Sequence, residues 1–531
     1  MGFFSARRPS IVMYAAVLAG LLFAVGVTKV TAYDAWWHLT TGWVIANLGE
    51  IPRNDIFSYS AFGAPWITYE WLFELIQWLI YEYGGFIGLA VMKLALTCLC
   101  TWILFRTIVY LTESRSAALW GTILFLWAAA PRIMDRPFLL GMCILAAYCL
   151  VLHRYVRTGT RAIWALPLLQ LVWINSHAGA LIGLQLIFCF AAGESLQAFA
   201  EKRLGAGSPA PLDRRSTLWI VWLICIAACL INPWGFEVFL FPFKLAQMHS
   251  ILEYTEEWLS IVHPRLDGFI PPLIALAWFV MTMASFVANA RNARVSFLLA
   301  AAMSALLLLN GHRFVPEFLI ITVPIAMANF SEIARRIWHR PANQTYAWIQ
   351  LALAFALSSM ALTFGIPVTV RGEMQRQVGI GTTTEFAPRR MVDFLEYYDI
   401  HGHVFNDEGL GEYLILRRWP GELVFIDGRT PVYGDDLIEA YLDSFRNIHN
   451  FEALDRHFNF DYIVLPTFRA WDQRFFHKYL ALNRSWRLVY AYYDGFVYLR
   501  DIPKFHDLIK RFEVKENPVI VAMEREEKKA K

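Results

Sequence analysis

Long apolar runs alternate with short polar loops through most of the chain, at residues 11–31, 86–110, 116–131, 137–153, 162–175, 179–198, 217–231, 268–290, 295–310, 316–333 and 345–366. A hydrocarbon core of about 30 Å takes about 20 mostly apolar residues of helix, so the runs predict about eleven transmembrane helices over 11–366. Several runs are short, and tilt or burial in the bundle has to supply the missing length. The first run follows MGFFSARRPS and reads as a cleaved signal peptide or as a retained helix; its length favours a retained helix after a cytoplasmic N-terminus, 1–10.

Lys and Arg in short loops stay on the cytoplasmic side, and here they alternate from loop to loop. Arg7 and Arg8, Arg106 and Arg115, Arg154 to Arg161, Lys202 to Arg215, Arg291 and Arg294, and Arg335 to Arg340 mark one side. YDAWWHL, RIMDRP, INSHAG, INPWGFEVF and NGHRFVPEF mark the other, which faces outward. Two outward segments, 32–85 and 232–267, are too long for turns. The first carries WITYEWLFELIQWLIYEY and the second EYTEEWLSIVHP, both suited to amphipathic helices at headgroup level.

From residue 367 the pattern shortens to that of a small α/β domain, 367–520. Helices are expected at MVDFLEYY, GEYLILRRW, DLIEAYLDSFRN, FEALDRHF and WDQRFFHKYLAL, strands at HVFND, ELVFIDG and DYIVLP, and a hairpin in WRLVYAYYDGFVYLR. The segment 521–531 reads as a flexible solvated tail. An odd number of crossings puts the C-terminal domain outside the cytoplasm. The fold class expected is a polytopic α-helical membrane protein with a C-terminal extracytoplasmic α/β domain.

Composition agrees: 57% of the 531 residues are hydrophobic and 17% charged, against roughly 25% charged in soluble domains. A net charge of +3 gives no broad basic field, so nucleic acid is not an expected partner. All seven cysteines lie inside apolar runs and read as buried thiols rather than disulfides. CxxC, HExxH, P-loop and GxSxG patterns are missing, which removes zinc hydrolases, P-loop nucleotidases and serine hydrolases.

Ionisable groups at helix mouths are costly and mark candidate sites. Asp34 follows the first run, with His38 one helical turn on; Asp34 is a general base or the N-cap of the helix from Ala35. Asp55 in RNDIFSYS is a second acid, an acceptor-binding carboxylate or a turn cap. Glu70 and Glu74 share a face of the first outer helix. Arg132, Asp135 and Arg136 sit in a tight turn, where an Arg can hold a phosphate or pair with Asp135. His177 can bond a sugar hydroxyl, bind metal or satisfy a loop carbonyl. His312 and Arg313, with Glu317, open a helix and suit an anion, or snorkel to headgroups. Glu257 lines or rims the mouth. His38 and His177 leave a divalent metal open, although nothing in their spacing demands one, and no cofactor is specified.

The strings DAWWHLTTGWVIANLGEIPRNDIFSYSAFGAPWITYEWL, WINSHAGALIGL, INPWGFEVFLFP and VFNDEGLGEYLILRRWPGELVFIDGR resemble the C-type (GT-C) glycosyltransferases, in the bacterial branch similar to dolichyl-phosphate-mannose protein mannosyltransferases. The resemblance covers nearly the whole chain. It implies a bacterial cytoplasmic (inner) membrane protein that moves a sugar, with inversion, from a polyprenyl-phosphate-linked donor to a cell-envelope glycan, lipid or protein acceptor. It implies that Asp34 is the catalytic base and that Arg313 steadies the lipid phosphate. Many relatives carry two adjacent acids in the first loop; here Ala35 follows Asp34, so a partner carboxylate must come from elsewhere, with Asp55 and Glu70 as candidates. Two other readings stay open. A transporter or flippase would place ionisable groups at mid-membrane, where Lys93 is the candidate; a non-catalytic membrane scaffold would bind a partner through its outer domain.

Overall fold

The computed structural model describes residues 11–204, 212–249, 255–337, 344–364, 366 and 378–530. The cytoplasmic N-terminus 1–10 with Arg7 and Arg8, the GAGSPAP linker, Arg340 and the expected domain start at 367 lie outside these residues. Two compact units emerge: Met1–Lys29, Tyr83–Pro242 and Thr255–Ile380 make the first, and Val30–Glu82, Phe243–Tyr254 and Gly381–Lys531 the second.

Every apolar run of the sequence contains a helix. In chain order they are α1 Ile11–Gly26, α2 Ala35–Leu48, α3 Trp71–Thr112, α4 Arg115–Ala129, α5 Phe138–Thr158, α6 Leu166–Ile174, α7 Ala180–Leu204, α8 Leu212–Cys229, α9 Glu237–Leu245, α10 Ile270–Ala288, α11 Val295–Asn310, α12 Val315–Ile337 and α13 Gln344–Phe364. Among the described residues, five helices are long and apolar enough to cross a membrane, and four shorter apolar helices accompany them. With the shorter helices the described residues give nine, so a count of eleven crossings needs two more helices besides these. Helix α3 breaks at Gly85, where φ is 53°, a left-handed backbone that glycine takes without steric cost.

The first unit is a helical bundle around Leu21, Leu104, Leu126, Leu145, Phe190, Val221, Ala300 and Phe318, all buried. Small residues set the closest approaches, as lipid-embedded packing requires. A Cβ on Gly193 of α7 would lie 2.3 Å from the Ser296 Cα of α11, so the helix backbones touch.

The second unit is built on a four-stranded sheet of order β1-β2-β4-β3, with β1 Val404–Asn406, β2 Tyr462–Leu465, β3 Trp486–Tyr492 and β4 Gly495–Arg500. Strands β1 and β2 run parallel, and the other pairs antiparallel. Helices α14 Arg389–Tyr397, α15 Glu408–Arg418, α16 Thr430–Ser444, α17 Ile448–Phe458 and α18 Arg474–Leu482 accompany it. Phe405, Phe451, Phe460 and Phe476 fill its core with ring-to-ring packing, centroids 4.9–6.0 Å apart.

Two local expectations change. ELVFIDG is not a strand: Val424 makes an isolated bridge to Ser58. The Asn406 amide takes the place of a ladder there, donating to Ile426 O at 2.7 Å and accepting from Phe425 N at 2.9 Å. The C-terminal tail is helical over Pro518–Ala530 and exposed along most of its later part.

Candidate functional site

Helix α2 carries the first candidate group. AWWHLTTGWVIANL has almost no polar face because nearly every residue is buried, from Trp36 and Thr41 to Val44. Trp36 donates through Nε1 to Phe386 O at 2.7 Å and packs edge-on against Tyr413 of α15 at 5.5 Å. Asp34 stands at the N-terminus with helical φ and ψ, and its carboxylate makes no capping hydrogen bond. The cap reading is therefore not realised.

Asp34 keeps acidic company. A Cβ on Gly428 would lie 2.3 Å from Glu412 Oε1 and 3.4 Å from Asp34 Oδ1, so two carboxylates close on one glycine. Glu408, two residues after β1, belongs to the same group: burial pushes its carboxyl up to about 7, Arg469 pulls it down, and Asp407, Asp34 and Asp427 add to the rise. Asp407 caps α15 by accepting from Gly409 N at 3.1 Å, and is held by Arg469 Nη1 and Gln473 Nε2, each at 3.2 Å. These acids come from VFNDEGLGEYL, where dense carboxylates between glycines were the available signal. Asp34's acidic neighbours are thus Glu408 and Glu412, where the sequence suggested Asp55 or Glu70.

The raised Glu408 group fixes a pH dependence. Between its ordinary value of 4.5 and about 7 the folded chain keeps a proton that the unfolded chain has released, so this group's stabilisation is full at lower pH and falls as pH rises through that window. Glu408→Gln is expected to remove that slope, worth on the order of 1–3 kcal/mol. Unfolding midpoints of both proteins in detergent across the window check it, and parallel curves would refute it.

Asp55 has another task. It is fully buried; Oδ1 accepts from Phe57 N at 3.1 Å and Oδ2 from Ser58 Oγ at 2.5 Å. Arg429 Nη2 reaches it at 2.7 Å and also holds Asp427 at 2.7 Å. Both oxygens are engaged, so in this structure Asp55 stands as a turn cap, the third of its sequence readings, and as an ion-pair partner. Glu70 and Glu74 flank His38 instead: His38 Nδ1 is 2.9 Å from Glu74 Oε1, and Nε2 is 3.7 Å from Glu70 Oε2.

The second candidate group lies in the first unit. Arg132 and Arg136 both reach Glu257 Oε1, at 2.5 and 3.2 Å. Arg313 lies over the Trp258 ring at 4.4 Å, a cation–π contact. Burial alone would raise the Glu257 carboxyl, yet Arg132, Arg136 and Arg313 hold it well below the usual carboxylate range. Glu257 is therefore a counter-ion to an arginine cluster. His177 belongs with them: burial first, then Arg313, Arg132 and Arg136, lower it to about 3, so the imidazole is neutral. Its Nδ1 accepts from Gly179 N at 3.0 Å, which leaves the proton on Nε2. His312 donates its backbone N–H to Leu259 O at 2.9 Å, which ties the start of α12 to the Glu257 segment.

Asp135 takes Lys93 Nζ at 2.7 Å, and the same ammonium donates to Thr28 O at 2.8 Å. Lys93, the candidate for a transporter's mid-membrane charge, is thereby part of a buried ion pair.

No protein-family model matches the chain, and no curated protein matches it in sequence. Solved structures do match in fold. The oligosaccharyltransferase AglB of Archaeoglobus fulgidus, in complex with an inhibitory peptide and a dolichol-phosphate, superposes with a TM-score of 0.53 at 11% identity over 93% of this chain and 75% of its own. ArnT of Cupriavidus metallidurans superposes in the apo state with a TM-score of 0.51 at 13% identity, and bound to undecaprenyl phosphate with 0.50 at 12%, over 92% of this chain and 97% of its own. Both are GT-C fold glycosyltransferases, and the chain shares that fold across most of its length.

Proposed function

We propose that the chain is a membrane glycosyltransferase that moves a sugar from a polyprenyl-phosphate-linked donor to a hydroxyl of a cell-envelope glycan, lipid or protein, on the outer face of a bacterial cytoplasmic membrane. The observation that carries the reading is Asp34: an acid at a helix N-terminus, not spent on capping, grouped with Glu408 and Glu412, in a chain whose structural neighbours are glycosyltransferases with bound dolichol-phosphate or undecaprenyl phosphate. The alternation of Lys and Arg between loops supports the outward placement of residues 32–85 and of the C-terminal domain.

The roles follow from charge. Asp34 takes the proton of the acceptor hydroxyl as that oxygen attacks the anomeric carbon from the face opposite the phosphate. The bond from that carbon to the phosphate oxygen breaks, its electron pair leaves with the lipid phosphate, and the configuration inverts. Three guanidinium groups against the Glu257 and Glu317 carboxyls leave the Arg132, Arg136 and Arg313 cluster net positive, which suits a phosphate anion. Neutral His177 adds a donor at Nε2 without adding repulsion.

The test begins with the lipid phosphate. Purified chain is expected to bind undecaprenyl phosphate, and Arg313→Ala to weaken binding by roughly tenfold or more, the loss of one charge-assisted contact of 1.5–3 kcal/mol. Incubation with a polyprenyl-phosphate-linked sugar and membrane acceptors should release free polyprenyl phosphate. Equal affinity of wild type and variant would remove Arg313 from the reading; no release with any such donor would favour a scaffold.

A further inference from the structure

We propose that His38, Glu70 and Glu74 form a binding site for one divalent transition-metal ion of the zinc or manganese class, which ties helix α2 to the first turn of α3. The glycosyl-transfer reading is not needed for this, since the argument rests on local chemistry alone.

The three side chains belong to one unit, and all are buried: His38 is 1% exposed, Glu70 8% and Glu74 0%. One donor atom from each lies within 4.8 Å of the others. Their backbones are held close for a separate reason. A Cβ on Gly42, one turn past His38, would fall 2.2 Å from the Glu74 carbonyl oxygen, so only glycine permits the contact of the two helices. Glu70 and Glu74 are one turn apart, with Glu74 N donating to Glu70 O at 3.1 Å. Two carboxylates thus face one imidazole in a place with little water.

Two observations point to a cation. Glu74 Oε2 is buried and has no hydrogen-bond partner, a costly condition for a carboxylate oxygen. The Arg429 guanidinium, which acts electrostatically on Glu74, is already bound to Asp55 and Asp427 at 2.7 Å each. That guanidinium is shared among several buried carboxyls, and a dication would meet the Glu74 oxygen that no donor reaches. One imidazole nitrogen and two carboxylate oxygens are a donor set for zinc, manganese or ferrous iron, with waters completing the shell. Metal bonds of about 2.1 Å bring such donors to roughly 3–3.5 Å from each other. His38 Nδ1 already lies 2.9 Å from Glu74 Oε1, whereas Glu70 Oε2 lies 3.7 Å from the other nitrogen, Nε2, so the Glu70 carboxylate has to turn toward the nitrogen that holds the ion. Because His38 lies one turn after Asp34, the ion would act as a positioning element for that carboxylate, fixing α2 without touching a reacting group.

The experiment uses the full chain in detergent, stripped by a chelator and dialysed, then titrated with Zn2+ or Mn2+ alone. Wild type is expected to take up about one equivalent and to unfold several degrees higher with metal than without. His38→Gln and Glu74→Gln should each lose the equivalent and the thermal shift, whereas Asp34→Asn should keep both, which separates this site from Asp34. Should either ligand variant fail to fold, the wild-type titration decides alone. Absence of stoichiometric uptake, or of any thermal shift, overturns the site and leaves a proton-sharing imidazole and carboxyl cluster in its place. Retained metal in a folded ligand variant overturns it equally.

Discussion

Asp34→Asn is expected to leave the chain folded and to lower sugar transfer by a factor of about 100 to 10,000, the usual contribution of a general base. Folding should survive because the Asp34 carboxylate does not cap α2, and the helix is held by Trp36 and by Gly49 at its far end. Asn has nearly the same shape and cannot accept the hydroxyl proton. Binding of the donor, proposed for arginines elsewhere in the chain, should persist, so the loss should appear in kcat with donor affinity kept. Release of free polyprenyl phosphate by purified variant and wild type measures it. A variant as active as wild type would show that another group takes the proton.

The second large effect concerns stability. Arg429 is 3% exposed, donates through Nε and Nη2 to Asp427 at 2.8 and 2.7 Å, and holds Asp55 at 2.7 Å. Its guanidinium also lies over Phe57 and Trp66 at 4.9 and 4.5 Å. Arg429→Leu keeps much of the apolar packing and leaves two carboxylates buried without their cation, at a cost of about 3–5 kcal/mol. Arg429→Lys keeps the charge and loses the planar fork, so its cost should fall between wild type and Leu. Thermal midpoints in detergent, with proteolysis of the exposed chain as a second readout, rank the three. A Leu variant within about 1 kcal/mol of wild type would mean that Asp55 and Asp427 find other partners.

Features written locally in the chain were legible. Lipid demands continuous apolar stretches, and each of them contains a helix in the fold. Asp34 was singled out by its immediate neighbours, and the GT-C fold by strings along the chain. Non-local pairings were not legible. Asp55 looked like an available acid because its partner Arg429 is far along the sequence, although DIFS already held Ser58, which donates to it. The acids beside Asp34 come from α15 and its approach, and no pattern in the first loop points there. ELVFIDG has the composition of a strand, but the Asn406 side chain occupies the backbone groups that a ladder would use. His38 and Glu74 meet through Gly42, a glycine that in sequence looks only like a weak point in a helix.

Glu257 already occupies the arginine cluster, and under the proposed role of that cluster lipid-phosphate binding would have the character of an exchange. An arriving phosphate competes with a resident carboxylate for the same guanidinium groups, so part of its attraction is spent on displacing that anion. When the phosphate departs, the carboxylate can close over the arginines again and lower the cost of letting go. A tethered competitor of this kind would set capture against release, and the proposed cycle, which discharges a spent lipid at each turnover, would need both.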